Sequence, residues 1–114
     1  MNAIKNDVEA LAGKELASAN EQFPLFNSVH EAYAVLLEEA QEATEAGDAI
    51  TLDLEKFWIS VRNNAPMEHL TASLDNIRKN AVGMAIEAIQ VAAMCDKFTL
   101  SFVSDSLWGG VNYV

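Results

Sequence analysis

Cations are scarce in this sequence. Seven Lys and Arg stand against 17 Asp and Glu, a formal charge of −10. A chain that grips nucleic acid by its phosphates needs a basic surface, so the composition argues against that partner. Cysteine is nearly missing: Cys95 is alone, no internal disulfide can form, and a reducing, cytoplasmic setting fits. Strand-favouring residues in alternation are few, which turns the reading away from β structure. No apolar run is long enough to span a membrane; the longest, Ala81–Cys95, has Glu87 at its centre. The first residues, MNAIKNDVEALAGK, carry acids and no continuous apolar core, unlike a signal peptide. A Ser-His-Asp arrangement, a Gly-rich phosphate loop and zinc-type His/Cys spacing are likewise missing.

What remains is apolar and helix-favouring. Hydrophobic residues make up 51% of the chain, too many for disorder. At 114 residues it is one domain (1–114) with a modest core, and a helical chain of this size often completes its core by oligomerising. The expectation is an all-α bundle of about four helices with a long C-terminal helix, completed by oligomerisation.

The spacing predicts a first helix over residues 3–20, weakened by Gly13. Residues 21–27, with Pro24 and two Phe, read as a connection packed on the core. Ser28-Val29-His30-Glu31 is a capping box that opens a second helix, which runs to about Ala46 and stops at Gly47-Asp48. Thr51 reads as the N-cap of a third helix over 52–63, with Leu54, Phe57, Trp58 and Val61 as its buried stripe. Asn63–Pro66 is a turn, and a last helix reaches about Phe98 with Leu70, Leu74, Ile77, Ala81, Ala85, Ala88, Ala92 and Cys95 on one face. Residues 99–114 change character and read as an arm onto a neighbouring subunit, a flap over a site, or an ordered end covering the core.

Glu87 sets the functional question. On a helix it shares a face with Gly83, Met84, Gln90, Val91 and Met94. A carboxylate in an apolar stripe is costly unless it is paired or bound to a metal. Either it meets a cation such as Arg78 or Lys79 of a neighbour, in a purely structural module, or it joins other acids around an ion. The second helix offers such acids. Glu39 and Glu42 are spaced i, i+3, and Glu38 and Glu42 i, i+4. Like charges so placed repel, and a divalent cation reverses the sign. Glu87 and Gln90 repeat the i, i+3 spacing, and two such pairs on antiparallel helices can converge on one ion. Taken alone, an acid run of this kind is more often a solvated face.

EExxE (Glu38–Glu42) followed by a second acidic motif beginning at Glu87 resembles the all-α nucleoside triphosphate pyrophosphohydrolases, the MazG-like and dimeric dUTPase superfamily. SVHEAYAVLLEEAQE (28–42) and EAIQVAAMCDKF (87–98) look like a small phage-associated branch of that group. The resemblance covers roughly residues 28–98. It implies Mg²⁺, with Mn²⁺ as an alternative, held by Glu39, Glu42, Glu87 and Gln90. It further implies Glu38 as another ligand or the base that orients water, and cleavage of a nucleotide to its monophosphate and pyrophosphate. It also implies a homo-oligomer, dimer or tetramer, in a bacterial or phage-infected cell. Gln90 stands where the family has Asp, which keeps a neutral oxygen donor but removes one charge. The 45 positions from Glu42 to Glu87 also exceed the family's usual separation. The alternative is an inert helical oligomer of the same fold, acting in binding or regulation.

Three further residues have two readings each. His30 contacts base or phosphate, or is a surface or capping residue. Lys97 holds phosphate at the rim, or complements a helix dipole. Trp58 stacks a base, or packs in the core.

Overall fold

The computed structural model describes residues 2–103, and these are helical almost throughout. A 3₁₀ turn at Asn2–Ile4 leads into α1 (Lys5–Gln22), followed by α2 (Val29–Arg62) and α3 (Met67–Phe102). Among the described residues there is no strand, as the composition predicts.

The capping box forms as expected at the start of α2. The Glu31 amide donates to Ser28 Oγ at 3.1 Å, and the Glu31 carboxylate accepts from the Asn27 amide at 2.8 Å, one residue further back than the usual reciprocal bond. The expected second and third helices are in fact one. Gly47 does not end α2; a Cβ there would lie 3.2 Å from Met84 Cε, so the glycine is where α3 comes close. Thr51 is not an N-cap either, for its hydroxyl donates back to the Gly47 carbonyl at 3.4 Å within the continuing helix.

α2 ends at the expected turn. Asn64 adopts φ 56°, a left-handed conformation that Asn tolerates. The Ala65 amide donates to the Ser60 carbonyl at 3.0 Å, and the Asn64 amide to the Val61 carbonyl at 3.1 Å. This pair of bonds is the Schellman closure of a helix C-terminus. Pro66 then supplies the carbonyl that accepts from the His69 and Leu70 amides and starts α3. α3 continues past Phe98 to Phe102, so the change of character expected at Thr99 comes at least four residues later. Residues 104–114, the greater part of the expected arm or flap, lie outside the described residues.

The chain divides into two units, Met1–Ala40 with Ala88–Val114, and Gln41–Glu87. The first has a core. Ala32 and Ala93 are both at 0% exposure, joined by Phe26 and Met94, with Leu16, Ala19, Val35, Leu36 and Phe98 packed against them. Small residues at the centre let backbones approach closely. The connection after α1 packs on this core as expected: Phe26 is buried, and its amide donates to Ser101 Oγ at 3.0 Å.

The second unit is a hairpin of the C-terminal part of α2 and the N-terminal part of α3. None of its residues is buried. A half-buried seam runs between the two arms, with Ile50 and Phe57 on α2 and Leu70 and Ile77 on α3. Across it Asn80 Nδ2 donates to Asp53 Oδ2 at 2.9 Å. Of the stripe expected to be buried, only Phe57 lies in the seam; Leu54, Trp58 and Val61 are exposed. On α3, Leu74, Ala81, Ala85, Ala88, Ala92 and Cys95 also face outward. The inward side is the one that carries Gly83, Glu87, Gln90 and Met94.

Candidate metal centre

Helical geometry assembles the acids. Glu42 and Glu87 lie on the facing stripes of α2 and α3, and Glu39 precedes Glu42 by one turn of the same unbroken helix. One carboxylate oxygen from each of Glu39, Glu42 and Glu87 lies within 4.8 Å of the other two. All three residues are half-buried. The seam they occupy pairs α2 and α3 through a single reversal at Asn64. That antiparallel pairing brings positions 45 residues apart together.

These oxygens suit a small hard cation by type and by spacing. An octahedral ion with bonds of about 2.1 Å holds opposite ligands about 4.2 Å apart, and Ca²⁺ spreads them further. The spread of 4.8 Å or less is within a side-chain rotation of either. Three carboxylates in a partly desolvated seam repel one another, and an ion there converts that repulsion into attraction.

The other sequence-derived candidates fall in different places. Glu38 is exposed and outside this group. Gln90 is half-buried, one turn beyond Glu87, and lines a cavity of about 340 Å³ together with Glu39. Apolar walls of that cavity come from Phe23, Phe26, Val35 and Met94, and its polar positions include Asn27 and Lys97.

Lys97 is neither at an exposed rim nor in the last turn of its own helix. It is 5% exposed, its Nζ donates to the Phe23 carbonyl at 2.6 Å, and it sits 4.9 Å from the Phe26 ring centroid. Phe23 caps α1, so the cation meets the carbonyl end of α1 rather than that of α3. It ties the 23–27 connection to α3, and the bond satisfies a charge that is buried there. His30 is exposed in the first turn of α2 and does not line the cavity. Trp58 is 58% exposed and lies 16 residues beyond Glu42, about 24 Å along the helix. Within one chain it shares no mononucleotide-sized ligand with the carboxylates.

Sequence reasoning missed the cavity. Its walls depend on α1 and the 23–27 connection, whose weak periodicity carried no functional signal. The hint available was Pro24 between Phe23 and Phe26, a connection too apolar to lie in water.

No helix among the described residues is long and apolar enough to cross a membrane. No family profile, curated protein or solved structure matches the chain.

Proposed function

We propose that this protein is a Mg²⁺-dependent nucleoside triphosphate pyrophosphohydrolase, cleaving between the α- and β-phosphates to give a nucleoside monophosphate and pyrophosphate. The observation that carries the reading is the meeting of Glu39, Glu42 and Glu87 beside a cavity that Glu39 itself lines. The motif resemblance supports it independently.

On this reading Glu39, Glu42 and Glu87 hold the cation, and Gln90 contributes a neutral oxygen. When bound, Mg²⁺ supplies Lewis-acid polarisation of the phosphoryl oxygens and a more acidic water. The cavity takes the nucleoside: at about 340 Å³ it is at the lower end of small-molecule sites, with apolar walls from Phe23, Phe26, Val35 and Met94 and polar side chains that include Glu15, Glu31, Glu39, Asn27 and Lys97. Phe23, which is exposed, offers a ring face, and Asn27 offers an amide that both donates and accepts. The phosphates then extend toward Glu39, which lines the cavity. Glu38, exposed next to Glu39 on α2, is the group that orients the attacking water. The working form is a homo-oligomer, dimer or tetramer, that completes a four-helix bundle, in the cytoplasm of a bacterial or phage-infected cell.

The test is pyrophosphate release from a panel of ribo- and deoxyribonucleoside triphosphates, with and without Mg²⁺ or Mn²⁺. Turnover that requires the ion and falls at least 100-fold in Glu39→Gln is the expected result. No release from the folded protein with any nucleotide overturns it.

Gln90 motivates a second reading, an inert binding or regulatory protein on the same fold. Under it the wild type releases no pyrophosphate, and Gln90→Asp gains the activity.

A further inference from the structure

The polar groups around the cavity differ in what they can do. Ionised Glu15, Glu31 and Glu39 only accept hydrogen bonds, and the side-chain amides there both donate and accept. Among the described residues that line the cavity, Lys97 is the one whose side chain can only donate. It is 5% exposed. Its ammonium carries three N–H donors. One goes to the Phe23 carbonyl at 2.6 Å, and the Phe26 ring centroid lies 4.9 Å away. Both partners are neutral. A charge taken out of water needs its donors filled. A carbonyl and a ring face leave at least one of the three for a molecule in the cavity.

The fold decides which end of that molecule meets Lys97. Ser101, one turn further along α3, accepts from the Phe26 amide at 3.0 Å, so this part of α3 lies beside the 23–27 connection. The connection leads directly into α2, where Asn27 donates its amide to the Glu31 carboxylate at 2.8 Å. Glu39 is eight residues beyond Glu31, about 12 Å along α2. Lys97 and Glu39 therefore belong to opposite ends of one cavity. With the phosphates drawn to Glu39, the group left for Lys97 is the base.

We propose that Lys97 reads an oxygen on the base, so that the cavity takes oxo bases and spares adenine. Guanine, hypoxanthine, cytosine, uracil and thymine each carry an exocyclic carbonyl. Adenine carries an amino group and neutral ring nitrogens instead, and an amino group turned to an ammonium sets donor against donor. A site built to bond one polar atom rejects the analogue that lacks it, because its own buried group is then left unpaired. Lys97 is thus a specificity-determining residue, and the substrate class is the oxo-base nucleotides, with ATP excluded. This inference rests on the placing of a nucleoside in the cavity given above, but not on the metal or on turnover.

The experiment is calorimetric titration of the full chain with nucleoside 5′-monophosphates in the absence of divalent ions. The expected result is that GMP, CMP and UMP bind and AMP binds at least tenfold more weakly. The sharper pair is inosine monophosphate against purine riboside monophosphate, which lacks the 6-oxygen, and a loss of at least tenfold is expected. In Lys97→Met that difference shrinks to less than threefold; if the variant has lost its helical circular dichroism, the ligand pair on the wild type decides alone. AMP binding as tightly as the rest, equal binding of the pair, or a preference that survives in folded Lys97→Met overturns the proposal. No binding by any of these nucleotides overturns it together with the nucleoside site. A base preference without pyrophosphate release upholds it and counts against the hydrolase; pyrophosphate release with no base preference does the reverse.

Discussion

The same two helices build both units of this chain, and they are finished differently. In the unit holding residues 29–40 and 88–102, Ala32 and Ala93 are sealed at 0% exposure, and α1 contributes Leu16 and Ala19 to the core. In the 41–87 hairpin nothing is buried, although Leu52, Leu54, Trp58, Ile59, Val82 and Ile86 are all large and apolar. Apolar content is thus similar and burial is not. A helix pair has two broad sides and one seam, and the seam alone cannot hide both apolar stripes. A third helix solves this for one unit, and the second leaves its broad sides exposed.

The comparison breaks most visibly at Ala93. Ala93→Asp places a charge where exposure is 0%, and a loss of at least 3 kcal/mol is expected, seen as lost helical circular dichroism at 37 °C. The same change at exposed Ala81 should cost the isolated chain less than about 1 kcal/mol. If both are tolerated alike, the contrast between the units is wrong.

Metal binding gives the next effect. With Mg²⁺ at about 100 times its Kd, stabilisation of about 2.7 kcal/mol is expected, measured as a rise in Tm by scanning calorimetry. Glu87→Gln should remove most of that rise. An equal rise in the variant would place the ion elsewhere.

Lys97→Met keeps the stem and removes the charge. It leaves the Phe23 carbonyl without its 2.6 Å donor, and a cost of about 1–3 kcal/mol in urea denaturation is expected. The smallest effect is in the hairpin. Gly47→Ala gains up to about 1 kcal/mol of helix propensity, partly offset because Met84 Cε must move from 3.2 Å. A net change between zero and about 1 kcal/mol of stabilisation is expected. A loss larger than that would show that the arms cannot part even slightly at this point.

Much of this was legible in the residues. The all-α class followed from composition, and the capping box and the Asn63–Pro66 turn followed from local chemistry. The pairing of Glu87 with Glu39 and Glu42 followed from asking where a carboxylate on an apolar stripe finds company. What was not legible has a common cause. Gly47-Asp48 has the chemistry of a helix stop, but glycine also serves where two helices come close, and only the position of Met84 separates these uses. Leu54, Trp58 and Val61 have the period of a buried stripe, and period says nothing of whether a neighbour is present. On α3 both the Ala81–Cys95 face and the Glu87 face are apolar, so sequence could not say which turns inward. Lys97 has a cation's usual place near a helix end, yet the carbonyl it meets belongs to a residue 74 positions away.

The left-handed residue at Asn64 turns the hairpin into a ruler. With a single reversal fixing the register, Glu42 and Glu87 meet because each is a set count of residues from it. Inserting one residue in either arm swings one carboxylate about 100° around its helix and strands the other. Lengths compatible with the pair therefore come in quanta of about two turns, added to both arms together. Related chains that keep the acids should differ here by matched heptads, or by nothing.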